Sequence, residues 1–92
     1  MDLQLINWLK DGKYRVKTLR TLLARPMLSS ELAERLAINR TSMSRILRAL
    51  KERGLVYTVS GQSRTVTYAL TEKGLEIVKI LERFAYGTDQ TD

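Results

Sequence analysis

The sequence predicts an α+β fold that is mainly helical with one small β-hairpin, and three observations predict it. Apolar residues recur at helical spacing through most of the 92 residues. Two short stretches, 55–60 and 65–70, switch to a period of two. Asp2, Asn39, Gly54 and Thr71 stand where helices would start or stop. A chain of 92 residues cannot fill two separate cores, so residues 1–92 are expected to form one domain.

Asp2 is the expected N-cap of a first helix over 3–10, with Leu5, Ile6 and Leu9 on one face, and Asp11-Gly12 ends it. Val16, Leu19, Leu22 and Leu23 mark a second helix running to Arg25-Pro26, where proline breaks the hydrogen-bond ladder. These two make up an N-terminal helical segment, 1–26. Met27-Leu28 reads as a short apolar link. Ser29 or Ser30 is the expected N-cap of a third helix, with Glu31 in its first turn and Leu32, Ala33 and Leu36 inward. Asn39 then caps a fourth helix from Arg40 to about Arg53, closed by Gly54 at positive φ.

The period-two stretches place Leu55, Tyr57 and Val59 on one side, and Val66, Tyr68 and Leu70 opposite Thr65, Thr67 and Ala69. Gly61-Gln62-Ser63-Arg64 joins them as a hairpin loop. Thr71 caps a last helix over 71–87, with Glu72 in its first turn, and leaves 88–92 as a frayed tail.

Sixteen Lys and Arg against ten Asp and Glu give a net charge of +6, which suits a polyanionic partner as well as simple solubility. Six of the cations, against one acid, fall between Lys10 and Arg25; Lys13, Lys17 and Arg20 sit opposite the apolar stripe there. The chain has no Cys and no His. That excludes thiolate and imidazole metal sites, Cys or His nucleophiles and disulfides. No cluster of Asp, Glu, Tyr, Ser or Lys suggests catalysis, so the expectation is a non-enzyme with no cofactor and no metal. No apolar run is long enough for a membrane span, and Met1-Asp2-Leu3-Gln4 lacks the features of a leader. A cytoplasmic protein, nucleoid-associated when bound to DNA, is expected.

Function points to the fourth helix. Met43, Ile46, Leu47 and Leu50 follow the i, i+3, i+4, i+7 rule and define its buried side. The opposite side then carries Arg40, Thr41, Ser44, Arg45 and Arg48, with Lys51 beyond them. Exposed helix faces usually interleave Glu with Lys or Arg, yet the only acid here is Glu52 near the end. An α-helix fits the major groove of B-DNA, where Arg binds guanine O6 and N7 bidentately and Ser or Thr reach phosphates and base edges.

The stretch from Ser30 to Val56, beginning Ser30-Glu31-Leu32-Ala33-Glu34-Arg35-Leu36-Ala37-Ile38-Asn39-Arg40-Thr41-Ser42-Met43, resembles the helix-turn-helix of winged-helix transcription regulators of the MarR and ArsR type, the small archaeal ones above all. Tyr68-Ala69-Leu70-Thr71-Glu72-Lys73-Gly74 looks like the segment by which such proteins leave the wing and enter the C-terminal helix. The resemblance covers residues 29 to 74. It implies a helix-turn-helix over 29–54, with 30–36 as positioning helix and 40–53 as recognition helix, and a wing over 55–70.

It further implies double-stranded DNA as partner, contacted by Arg40, Thr41, Ser42, Ser44, Arg45, Arg48 and Lys51 in the major groove. At the wing, residues 60–65, Gln62, Ser63 and Arg64 would lie near the minor groove or backbone. Two departures stand out. Ala37 occupies a turn position often held by Gly, so its backbone either stays in an ordinary region or tolerates mild strain. The absence of Cys and His argues against a transition-metal sensor.

The last helix carries Leu75, Ile77, Val78, Ile80, Leu81, Phe84 and Ala85, a stripe wider than one packed face needs. With Leu5, Trp8 and Leu9 it suggests a homodimer interface of Leu5, Trp8, Leu9, Leu75, Val78, Leu81, Phe84 and Ala85; the alternative is that both terminal helices complete the monomer core. The expected function is a homodimeric, sequence-specific regulator, a repressor, with no effector identified. The competing reading is a winged-helix interaction module or a non-specific architectural DNA-binding protein.

Overall fold

The computed structural model describes residues 2–61 and 65–90, with side chains through Arg83. Helix α1 (Leu3–Asp11) starts where Asp2 Oδ1 accepts from the Leu5 N–H at 3.1 Å, and Gly12 ends it. Helix α2 (Arg15–Thr21) stops earlier than Pro26 alone dictates, and residues 22–25 turn the chain. Within α2, Thr18 is fully buried and its hydroxyl donates to the Tyr14 carbonyl at 2.6 Å, so no buried polar atom is orphaned.

Met27-Leu28 is not merely a link. It forms strand β1 (Met27–Leu28), pairing antiparallel with β3 (Val66–Leu70) through Met27 opposite Tyr68 and Leu28 opposite Thr67. Two residues are too few to show an alternation, which hides such a strand from sequence reasoning. Helix α3 (Ser29–Leu36) has neither expected cap: its N-cap is Leu28, no side chain caps it, and Ser29 and Ser30 lie inside its first turn. The chain leaves α3 through Ala37 at φ 57°, ψ 44°, with Ile38 N–H bonded to Ala33 O at 3.0 Å. The ordinary-backbone alternative for Ala37 is thus overturned. A left-handed alanine costs about 1–2 kcal/mol, and the turn's hydrogen bonds offset it.

Helix α4 (Arg40–Glu52) is capped by Asn39, whose side chain accepts from the Ser42 N–H at 2.7 Å. Gly54, at φ 74°, follows its C-cap Arg53, as expected of a glycine that ends a helix. Strand β2 (Val56–Ser60) pairs antiparallel with β3, Val56 facing Leu70 and Thr58 facing Tyr68, and the sheet order is β1-β3-β2.

Opposed residues share a face, so Met27, Val56, Tyr68 and Leu70 turn inward together. The side shared by Leu55, Tyr57 and Val59 is uneven in burial. Leu55 is buried ahead of the strand, whereas Tyr57 and Val59 remain 47% and 43% exposed. Helix α5 (Glu72–Gln90) runs past the expected end at 87 and takes in residues 88–90 of the supposed tail.

One core gathers Leu9, Leu19, Leu32, Met43, Leu47, Leu50, Leu55 and Val78, all but inaccessible to solvent, with contributions from every helix. It also contains Leu5, Leu9, Val78 and Leu81, four of the eight residues assigned to a dimer interface. Their stripe is covered within the single chain because α5 packs on α2 and β3, and Arg20 pairs with Glu82 at 2.6 Å across the first of those contacts. Burial of these four needs no partner. Leu75, by contrast, is 38% exposed and Trp8 is half-buried, while the side chains of Phe84 and Ala85 lie outside the described residues.

Candidate nucleic-acid interface

The connection between α3 and α4 is only Ala37, Ile38 and Asn39, so the two helices are held as one rigid corner over the core. Met43, Leu47 and Leu50 bury one side of α4 completely, which fixes the rotation of the helix and forces the opposite side into solvent. Arg40, Thr41, Ser44, Arg45, Arg48 and Lys51 are all exposed there. Ser42 is half-buried, and its N–H is engaged with the Asn39 cap. The helix therefore brings six of the seven assigned side chains onto open surface and leaves Ser42 at the margin.

Ion pairing decides how free those cations are. Among the described residues, the ion pairs are Arg20 with Glu82 and Arg25 and Arg35 with Glu31. Arg40, Arg45, Arg48 and Lys51 have no carboxylate partner among the described residues. Lys51 Nζ lies 3.4 Å from Thr58 Oγ1 and so leans on strand β2. An arginine fork without an internal acceptor retains its donors for an outside one. The face can thus bind several acceptors spaced along a groove or a phosphate backbone. Glu31 belongs to the other side of the corner, where a hydrogen bond from the Arg25 guanidinium holds its carboxyl below the ordinary value of 4.5.

The hairpin assigned as the wing leaves β2 through Gly61, whose N–H bonds to the Thr65 carbonyl at 2.6 Å. Gln62, Ser63 and Arg64 fall outside the described residues.

The cations of the α1–α2 region are less free than the sequence suggested. Arg20 is paired, Arg15 lies with its guanidinium carbon 4.1 Å from the centroid of the Trp8 ring, and Lys13 and Lys17 each approach the Tyr14 ring at 5.5 Å. Sequence reasoning also missed Arg53, whose guanidinium carbon lies 3.7 Å from the centroid of the same Trp8 ring. Trp8 and Arg53 belong to elements far apart in the chain, and no local periodicity links them. Among the described residues no three acids gather as a metal site, and no helix is long and apolar enough to cross a membrane.

Residues 4–91 match the family model described as the HVO_A0261 N-terminal domain. No curated protein sequence matches the chain. Among solved structures, the fold is similar to MepR, a transcription regulator of the Staphylococcus aureus multidrug efflux pump MepA, with a TM-score of 0.86 and 22% identity over 96% of this chain and 67% of that one. The S. aureus MepR–DNA complex matches with a TM-score of 0.80 and 22% identity, over 90% of this chain and 73% of that one.

A mutant of Lactococcus lactis ZitR matches with a TM-score of 0.76 and 23% identity over 87% of this chain, which spans only 56% of the ZitR chain. At such identities the likeness is one of fold. It is the winged helix-turn-helix, with α3 and α4 as the two helices of the motif and β2 and β3 as the strands of the wing.

Proposed function

The chain belongs to the HVO_A0261 N-terminal domain family, and we propose that it is a sequence-specific, double-stranded DNA-binding transcriptional regulator working through α4. The observation that carries this reading is the outer face of α4, where exposed Arg40, Arg45 and Arg48 stand without a carboxylate partner among the described residues. Among its structural neighbours, MepR has been solved in complex with DNA.

In this reading the N-terminal half of α4 enters the major groove. Arg45, one turn beyond Thr41 and next to Ser44, reads a guanine through a bidentate contact. Arg40, Arg48 and Lys51 neutralise phosphates and set the register, as backbone contacts do. Gln62, Ser63 and Arg64 meet the flanking backbone or minor groove. We further infer that the protein acts as a homodimer and represses, with two α4 helices on half-sites about 34–36 Å apart or a multiple of that. Of the interface residues expected from sequence, Leu75, Phe84 and Ala85 remain assigned to it, whereas Trp8 is engaged by the guanidiniums of Arg15 and Arg53.

A competition titration tests the reading. DNA enriched from a random pool by the pure protein should bind at least about 10³-fold more tightly than bulk DNA at the same salt. A ratio near one would assign the domain to architectural binding, and no DNA binding at all would assign it to protein interaction.

A further inference from the structure

We propose that Arg53 and Lys73, set against Trp8, form an oxyanion site at the C-terminal end of α4, and that it takes a phosphate group. The two cations come from different elements, the C-cap of α4 and the first turn of α5, and both line a cleft of about 270 Å³ with Asp2, Gln4, Leu5 and Trp8. Arg53 rests its guanidinium on the indole at 3.7 Å from the ring centroid. Stacking of this kind occupies the flat face of the guanidinium and leaves its N–H donors pointing outward in the plane, in the fork geometry that matches a carboxylate or phosphate.

The neighbouring groups leave that fork unused. Arg15, the second guanidinium on Trp8, donates to the Trp8 carbonyl at 2.5 Å. Asp2 Oδ1 accepts from the Leu5 N–H at 3.1 Å, and Asp2 makes no ion pair with Arg53 or Lys73. Among the described residues, neither Arg53 nor Lys73 donates a side-chain hydrogen bond. Three cations, Arg15 and Arg53 on the indole and Lys73 on the cleft wall, thus stand against the single carboxylate of Asp2 among the lining residues. Two guanidiniums on one indole repel each other, and a dianion between Arg53 and Lys73 relieves that repulsion. A phosphate group supplies both the charge and the paired oxygens that a fork and an ammonium bind together.

Such a group has two sources, a free phosphate-bearing molecule or the DNA backbone, and the second rests on the proposed function. Arg53 lies about 20 Å along α4 from Arg40, so a ligand here touches the end of the helix opposite the one assigned to the groove. Trp8 is the only tryptophan in the chain, and its emission reports on the cleft directly.

The test titrates the full chain with pyrophosphate, without DNA, against sodium chloride at matched ionic strength. A saturable change in Trp8 emission with pyrophosphate alone is expected. Arg53→Lys, which keeps the charge but loses the fork, and Lys73→Gln should each weaken it about tenfold or more, with thermal melts like the parent. A second arm adds random-sequence DNA. If DNA abolishes the pyrophosphate response and Lys73→Gln lowers the salt slope of DNA binding by about one, the backbone is the source. If the response persists on DNA, a free phosphate compound is. A pyrophosphate response in a chain that binds no DNA upholds the site while refuting the proposed function. No saturable response to pyrophosphate or DNA, or one unchanged in both variants, overturns the site.

Discussion

The hydroxyl of Thr71 donates to the carbonyl oxygen of Gly54 across 2.6 Å, joining the end of α4 to the start of α5 around the whole hairpin. Thr71 Oγ1 in turn accepts from the Gly74 N–H at 2.9 Å and so caps α5, while the Thr71 N–H donates to Leu55 O at 3.1 Å. One side chain thus ties the wing to α4, beside the backbone bond of Thr71 and the packing of β2 on α4. Thr71→Ala should lose about 1–2 kcal/mol of stability in chemical denaturation, and Thr71→Ser should recover most of it. Equal losses in both variants would show that the methyl group, not the hydroxyl, matters here.

Gly74 is needed for closeness, not for its dihedral angles. A Cβ placed on it would meet Leu55 O at 2.1 Å and Leu55 C at 3.0 Å, and backbone cannot yield as a side-chain tip can. Gly54 is the converse: at φ 74° it has open space around it. Gly54→Ala should cost about 1 kcal/mol, and Gly74→Ala more, about 3 kcal/mol, through forced repacking. Urea unfolding of the two variants ranks them, and the reverse order would contradict the packing described.

Leu81 is only 5% exposed in the single chain, so Leu81→Glu should unfold the protein rather than separate subunits, because it buries an unpaired charge. Leu75, 38% exposed, tests the dimer instead. Leu75→Glu should halve the mass seen by light scattering and leave the circular dichroism unchanged. A parent protein that is monomeric both free and on DNA would refute the dimer.

Much of the fold was legible in the sequence, for reasons that differ by residue. Asp2, Asn39 and Thr71 announce helix starts because their side chains act on N–H groups three residues away. Gly54 announces a stop because few residues accept its φ. The buried side of α4 follows from Met43, Leu47 and Leu50 alone, and the exposed face of the candidate site follows from it. What stayed hidden depends on distant partners: β1 exists only because Met27 and Leu28 find Tyr68 and Thr67, and Arg53 meets Trp8 only once α1 is folded against α4. The exposure of Tyr57 and Val59 was not legible, because β2 carries apolar residues on both faces. The α5 stripe is buried at Ile77, Val78 and Leu81, on the side where α5 packs on α2 and β3.

The proposed phosphate contacts of Arg40, Arg48, Lys51 and Arg64 in each of two subunits would release counterions. With about six to ten phosphates neutralised per dimer, affinity should fall by roughly 10³ to 10⁵ between 50 and 200 mM salt. Binding isotherms at four or five salt concentrations give the slope, and a flat one contradicts backbone neutralisation by α4.

Arg45→Ala separates base reading by the outer face of α4 from general attraction to DNA. Arg45 is exposed and off the core, so the variant should fold like the parent. Its affinities for the enriched DNA and for random DNA are measured side by side at one salt concentration, with Arg64→Ala as the comparison that should weaken both evenly. Loss of about 1–3 kcal/mol on the enriched sequence, with little change on random DNA, is the predicted result. An equal loss on both, or no loss on either, would contradict the placement of α4 in the major groove.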